Sequence, residues 1–293
     1  MNALDGRVTV ITGAGRGIGR EYAKLMAAHG AIVVVNDLGV ALNGDGDGEP
    51  VASQVVREIR DAGGTALASQ HDISRWDEAK SLIQAAVGEF GRLDVLVNNA
   101  GIIRDRMFVN MTESDWDSVL NVHLKGTFNT SRHAADLWRA NSKAGRDVRA
   151  CIINTTSVVG LYGAAGQANY AAAKAGIAML TKVCALELGR YGVRCNAIAP
   201  AARTRMTIDT PGASDIVKAP ADEAALDVYH PAHNAPLVAA LATEKCDVTG
   251  EVFGVVGTEV ERISGWSTAR RVSRPDRWSV EAMIDALPAL MAD

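Results

Sequence analysis

Short β-branched runs alternate along the chain with longer stretches whose apolar residues recur every three or four positions. Residues 7–12 (Arg7-Val8-Thr9-Val10-Ile11-Thr12), 31–37, 65–71, 93–98, 149–156, 193–199 and 251–256 read as strands. The first is apolar without a turn residue, the pattern of a parallel strand buried on both faces. Residues 17–29, 50–62, 75–90, 113–140, 167–190 and 234–243 read as helices. This alternation predicts an α/β fold, a doubly wound parallel sheet with helices on both faces. Ligands on such sheets bind beyond the carboxyl ends of the strands. Gly13, Asp37, Asn98, Ser157 and Pro200 all fall there.

The first strand runs straight into Gly13-Ala14-Gly15-Arg16-Gly17-Ile18-Gly19, followed by a helical pattern through Tyr22, Leu25 and Met26. Glycines let backbone approach a pyrophosphate, and a helix N-terminus favours negative charge. Gly13, Gly17 and Gly19 are spaced G-x-x-x-G-x-G, not the commoner G-x-G-x-x-G. A plain tight turn needs glycine too; placement directly after the first strand is what points to a dinucleotide and a single-domain Rossmann-type sheet. Asp37 ends the second strand eighteen residues after Gly19. An acid there accepts hydrogen bonds from ribose hydroxyls and repels a 2′-phosphate, which selects NAD over NADP. Arg16 pulls the other way, since a cation in the glycine turn could meet that phosphate. Asp72, after the third strand, is placed to touch the adenine; a helix cap at Asp72 or Ser74 is the competing reading.

Tyr170 and Lys174 lie four residues apart in Gly166-Gln167-Ala168-Asn169-Tyr170-Ala171-Ala172-Ala173-Lys174, with Ser157 thirteen residues upstream. The stretch is rich in Ala, a strong helix former, so phenol and ammonium share a face. A free phenol titrates near ~10, and a cation within a few Å lowers an acid by roughly 1–3 pH units. The pair therefore reads as a proton donor and acceptor tuned towards neutrality. On spacing alone, the commoner case is a surface tyrosine over a solvated lysine; the nucleotide motif reverses that weighting.

Thr12 to Gly19, Asn98-Asn99-Ala100-Gly101 after the fourth strand, and Ser157 with Tyr170 and Lys174 occur in that order. Through these motifs residues 4–260 resemble the short-chain dehydrogenase/reductase superfamily. The likeness makes Tyr170 the acid–base, has Lys174 hold the nicotinamide ribose and acidify Tyr170, and has Ser157 orient the substrate oxygen. Asn121 matches an asparagine that family members use in a proton relay; taken alone, it reads as a helix residue satisfying local backbone. The implied NAD site comprises Gly13, Arg16, Gly17, Ile18, Gly19, Asp37, Asp72, Ile73, Asn99, Ala100, Gly101, Tyr170, Lys174, Pro200 and Thr204. Asn36-Asp37-Leu38-Gly39, Gly101 to Arg106, Val122-His123-Leu124-Lys125-Gly126, Gly163 to Tyr170 and Ala197-Ile198-Ala199-Pro200 look like one branch. It is the (3R)-hydroxyacyl-CoA dehydrogenase unit of peroxisomal multifunctional β-oxidation enzymes. Pro200-Ala201 departs from the superfamily's usual Pro-Gly, and with no hydratase or sterol-carrier segment in these 293 residues the expectation is a dehydrogenase alone. The resemblance implies a stand-alone NAD-dependent oxidation of a secondary alcohol to a ketone, on a 3-hydroxyacyl-CoA or related thioester, sterol-derived ones included. The alternatives are an NADPH-dependent reductase of 3-oxoacyl thioesters or steroid ketones, and a non-catalytic dinucleotide-binding protein.

Hydrophobic content of 48% supplies a core, and 22% charged residues with a net charge of −4 make no electrostatic case for nucleic acid. Cys151, Cys184, Cys195 and Cys246 contain no C-x-x-C pair and read as buried free thiols in a reducing compartment. No apolar stretch approaches the ~18 residues of a membrane span. The first strand starts within seven residues, leaving no signal peptide, and the last tripeptide is Met291-Ala292-Asp293, not a peroxisomal signal. The expectation is a cytoplasmic protein.

Two segments interrupt the alternation. The Asn43-Gly44-Asp45-Gly46-Asp47-Gly48-Glu49 stretch mimics a calcium loop, but the loop's twelfth position is Gln54 instead of a bidentate Glu. It reads as a mobile loop near the adenosine. Residues 201–233, in the family's substrate-lid position, carry His230 and His233 without a third ligand, so no metal is expected. A catalytic domain over 1–260, lid included, is expected to be followed by an extension, 261–293, packed on it. Ser279 caps an amphipathic helix there. The tail arginines, and Arg104, Arg106, Arg203 and Arg205, either meet CoA phosphates or are solvated charge. Small residues such as Ala134, Ala135, Ala171, Ala172 and Ala178 permit close packing of the two long helices. With the family's subunit contacts on the same helices, this implies a homodimer or homotetramer.

Overall fold

A computed structural model of the protein describes residues 2–41, 43–44, 50–208, 214–222 and 225–291. It contains two compact units, 1–262 and 263–293. In the first, β1 (Val8–Thr12), α1 (Gly17–Ala28), β2 (Ile32–Asn36), α2 (Val51–Asp61), β3 (Thr65–Ser69), α3 (Trp76–Phe90) and β4 (Val95–Asn98) follow one another. Then come α4 (Glu113–Leu120), α5 (Gly126–Lys143), β5 (Ala150–Thr155), α6 (Val158–Tyr162), α7 (Ala168–Leu188), β6 (Val193–Pro200) and α8 (Arg205–Ile208). α9 (Ala235–Leu241), β7 (Val252–Val256) and β8 (Glu259–Ile263) complete the sheet.

Strand order is β3-β2-β1-β4-β5-β6-β7-β8, and every pairing from β3 through β7 is parallel. The chain reverses direction across the sheet between β1 and β4, which opens a crevice at their carboxyl ends. The central strands bury both faces because alternate residues enter different cores. Ile11, Val33, Val35, Val95, Val97 and Ile153 pack with α1, α2 and α9. Val10, Val34, Leu96 and Ile152 pack with α3, α5 and Trp138.

A buried polar ladder crosses the sheet near the crevice. Asn98 Nδ2 donates to Ser131 Oγ and Asn154 Oδ1, Thr130 Oγ1 donates to Asn98 Oδ1, and Asn154 Nδ2 donates to Thr181 Oγ1. Each polar atom has a partner, so the strand ends tolerate burial.

Five elements depart from the sequence reading. The helix expected over 113–140 is interrupted by a π-turn, Asn121–Lys125, where the Gly126 N–H reaches back to the Asn121 carbonyl. Ile73 crowds position 126, where a Cβ would lie 2.9 Å from Ile73 Cδ1. The third strand ends at Ser69, short of 71, and α6, α8 and β8 were not foreseen. Of the cysteines, Cys151 and Cys195 are buried, but Cys184 and Cys246 are only partly so; all four are free thiols.

In the second unit, α10 (Val280–Met291) begins as expected, with Ser279 Oγ accepting from Ala282 N at 3.1 Å. Its Val280, Ile284, Leu287 and Met291 are exposed.

Trp138 is 1% exposed and its Nε1 donates to Leu93 O at 2.7 Å. Trp138→Ala is expected to cost about 3–5 kcal/mol of folding stability, read as a lowered urea midpoint with an unchanged slope.

Candidate active site

A cavity of about 580 Å³ opens at the carboxyl ends of β1, β2 and β4. Gly13, Arg16, Gly17, Ile18, Asp37, Asp72, Ile73, Asn99, Ala100, Gly101, Asn121 and Thr204 line it. Gly19, Tyr170, Lys174 and Pro200, also expected at the cofactor, are not on its wall. Gly19 serves close packing instead: a Cβ there would sit 2.2 Å from Gly13 O and 2.5 Å from Asn99 Nδ2. Pro200 ends β6, where its partner in register is Val255.

The glycine turn is fixed from β4. Asn99 Nδ2 donates to the carbonyls of Thr12 and Gly13 at 3.1 and 3.0 Å. Thr12 Oγ1 in turn accepts from the backbone N–H groups of Asn99 and Ala100. Gly13 and Gly17 have φ of +64° and +53°, which L side chains rarely adopt. A Cβ on Gly13 would meet Ala100 Cα at 2.7 Å. Asp37 is held from both sides, accepting from Gly15 N at 2.9 Å and Gly39 N at 2.7 Å. Glycine backbone, the N-terminus of α1 and this carboxylate on one wall fit a dinucleotide's pyrophosphate and ribose.

Ser157, Tyr170 and Lys174 meet on the other side of residues 101–102. Ser157 is the N-cap of α6, and its Oγ accepts from Val159 N at 3.2 Å. The Lys174 ammonium lies 5.5 Å from the Tyr170 ring centroid. Lys174 is 2% exposed and its Nζ donates to the Thr155 carbonyl at 2.7 Å. Tyr170 and Val122 both pack against the buried cluster of Ile102, Val119 and Ala173, and Ile102 and Val122 also line the cavity.

A short chain dehydrogenase family model matches residues 7–213. The chain belongs to the short-chain dehydrogenase family. The hydroxyacyl-CoA dehydrogenase ChsB1 of Mycobacterium tuberculosis is 46% identical to it over 273 residues, covering 92% of this chain and 83% of the relative. Peroxisomal multifunctional enzyme type 2 of Mus musculus is 43% identical over 86% of this chain, which corresponds to 32% of that longer protein. A solved short chain dehydrogenase from Mycobacterium avium superposes with a TM-score of 0.87 at 47% identity, covering 99% of this chain and 95% of that one. The protein is thus an oxidoreductase of a family that uses nicotinamide dinucleotides.

Within this family site, the expected acidification of Tyr170 is not what the protein alone displays. Burial pushes the phenol up to about 12; the Ser157 hydroxyl eases its ionisation and Asp105 opposes it. The same burial lowers the Lys174 ammonium to about 7. Desolvation of both groups thus outweighs the attraction of the ammonium for the phenolate.

Other expectations resolve locally. Asp72 and Ser74 do not cap α3, which starts at Trp76 with Arg75 at its N-cap; Asp72 Oδ1 instead accepts from Ser74 N and Oγ. Asn121 ends α4 and lines the cavity. Asn43 and Gly44 also line it, while residues 45–49 of the Gly/Asp stretch lie outside the described residues. In the lid segment, 209–213 and 223–224 lie outside them too. Arg203, a candidate for CoA phosphates, is paired with Asp227 and donates to Val217 O at 3.1 Å. His233 Nε2 contacts Asp227 O and His230 Nδ1 accepts from Ala232 N, both within the loop. No helix among the described residues is long and apolar enough to cross a membrane.

His123 went unremarked as a site residue. Its ring stands edge-on to Tyr170 with centroids 5.2 Å apart, and its Nε2 lies 3.1 Å from Ile102 N and 2.8 Å from Ile102 O. A Cβ on Gly101 would meet it at 2.2 Å. A lone histidine inside a helical pattern carries no sequence signal for this; the π-turn that aims it is a backbone event.

Burial lowers His123 to about 3. The unfolded chain therefore takes up this proton near ~6.5 while the folded protein refuses it. The stabilisation is full above that pH and is lost as pH falls from there towards 3. His123→Gln is expected to flatten this part of the decline when melting temperature is followed between pH 7 and 4, relative to the unsubstituted protein.

Proposed function

We propose that the protein oxidises the secondary alcohol of a 3-hydroxyacyl-CoA, or a related CoA thioester, to the ketone with NAD. The gathering of Ser157 and Lys174 about the Tyr170 phenol, which packs on the apolar cluster that includes the cavity residue Ile102, carries this reading. The Mycobacterium tuberculosis relative named a hydroxyacyl-CoA dehydrogenase supports the substrate class, and sterol-derived acyl groups fall within it. Bound nicotinamide supplies the hydride acceptor. Tyr170 as phenolate takes the hydroxyl proton as the C–H hydride leaves and the carbonyl forms. Ser157 holds the oxygen, Lys174 favours the ionised phenol, and Asn121 lies on the wall along which the proton returns to solvent.

The Asp37 carboxylate, anchored by Gly15 and Gly39, supports NAD. Arg16 on the same cavity favours a second reading, an NADPH-dependent reductase of 3-oxoacyl thioesters or steroid ketones. A 3-oxoacyl-[acyl-carrier-protein] reductase is 43% identical over 68% of the chain. Exposed Phe128 on α5 and Met179, Val183 and Leu186 on α7 support a homodimer or homotetramer. A cytoplasmic location and a substrate lid over 201–233 complete the reading.

Tyr170→Phe is expected to lower kcat by about 10²–10⁴-fold while NAD binding, followed by fluorescence titration, stays intact; near-normal turnover would remove Tyr170 from the mechanism. Substrates come from an NAD-reduction screen over hydroxyacyl-CoA esters, free alcohols and steroids, in which the thioesters should lead. Parallel titration with NADH and NADPH should show tighter NADH binding, a preference that Asp37→Ser weakens. Tighter NADPH binding by the unsubstituted enzyme would overturn the use made of Asp37.

A further inference from the structure

Asp105 lies in the loop between β4 and α4, against the turn that opens α7. The two backbones are joined there. Arg106 bridges Gln167 in parallel fashion, and Arg106 N donates to Gly166 O at 2.9 Å. Side chains repeat the connection. Asn169 Nδ2 donates to Arg104 O at 3.0 Å, while its Oδ1 accepts from Tyr170 N at 2.8 Å. Gln167 Nε2 donates to Asp105 Oδ2 at 2.8 Å. Asp105 is thereby tethered to the residues immediately before the phenol. Its Oδ1 is buried and has no hydrogen-bond partner among the described residues.

Gln167 stands three residues before Tyr170, so the carboxylate it holds is brought to the phenol's end of α7, where its charge opposes a second negative charge on the phenol. The groups around the phenol are Lys174 on α7, His123 on the π-turn, Ser157 at the start of α6, and Asp105. Around Asp105 stand Gln167 and Arg106; Arg104 and Asp115, the nearby charges, face each other at 4.0 Å. Burial favours the neutral form of Lys174 and keeps His123 neutral. Asp105 therefore contributes a negative charge opposing phenolate formation, the sense in which it acts on Tyr170. Burial also raises the Asp105 carboxyl, with Gln167 and Arg106 pulling it back.

We propose that Asp105, held by Gln167, is a positioning residue whose carboxylate sets the pH at which Tyr170 gives up its proton, and so restrains the alcohol-oxidising direction. The inference rests on Tyr170 being the acid–base.

The test is kcat against pH in the oxidising direction for the full chain, using the fastest substrate of the screen above. Removing the charge makes the phenol easier to ionise. Asp105→Asn should move the rising limb about 1 pH unit lower, which is up to about tenfold more turnover on that limb below the original midpoint. Asp105→Glu, which keeps the charge, should keep the midpoint whatever it does to kcat. A purely structural role would lower kcat without moving the limb, and an unmoved midpoint in Asp105→Asn overturns the proposal. If that variant does not fold, Asp105→Ser reads the same quantity. An active Tyr170→Phe removes the acid–base reading and this inference with it. An inactive Tyr170→Phe beside an unmoved Asp105→Asn midpoint removes this inference alone.

Discussion

Much of the site's energetics follows from one hydrogen bond, Lys174 Nζ to the Thr155 carbonyl at the end of β5. It draws an ammonium into a place that is 2% exposed, where one carbonyl cannot replace a hydration shell. The amine answers by loosening its proton, and the phenol beside it answers by tightening its own. Both are displaced from their solution behaviour towards neutral forms, which is how a packed pocket prepares groups that exchange protons. The polar ladder of Asn98, Asn154 and Thr181 ties β4, β5 and α7 together beneath, so the sheet fixes where the amine–phenol pair stands while the helix fixes their separation.

The nucleotide end works by contrast through backbone. Asn99 and Thr12 lock the turn after β1 to the end of β4, spanning the point where strand order reverses. Glycines there are needed for shape at Gly13 and for closeness at Gly19. Among the charges on the wall, the Asp37 carboxylate is oriented by two amides of the loops it faces. One end of the crevice is thus organised by rigid dipoles and the other by desolvation.

Most of this was legible in the chain because it is periodic or local. Strands such as Val8–Thr12 announce themselves by β-branched runs without turn residues, and the glycine turn by its place after one. Tyr170 and Lys174 could be put on one helix face from their spacing, but their acidity could not, because it depends on burial by residues distant in sequence. His123 and the π-turn were hidden for a related reason: residues 113–140 read as one helix, and the break depends on packing with distant residues such as Ile73 against Gly126. The Arg203–Asp227 pair was equally invisible, since it joins two ends of a loop without periodicity.

The π-turn at Asn121–Lys125 has a consequence for how this helix can vary. It holds one residue more than a regular helix would need. Deleting any residue in it would heal the hydrogen-bond ladder, yet rotate α5 by about a quarter turn or slightly more relative to α4. Asn121 could then keep its cavity position only if Asn129, bonded to the Ile73 carbonyl, surrendered its own. The irregular turn is what lets one continuous rod serve two differently phased neighbours.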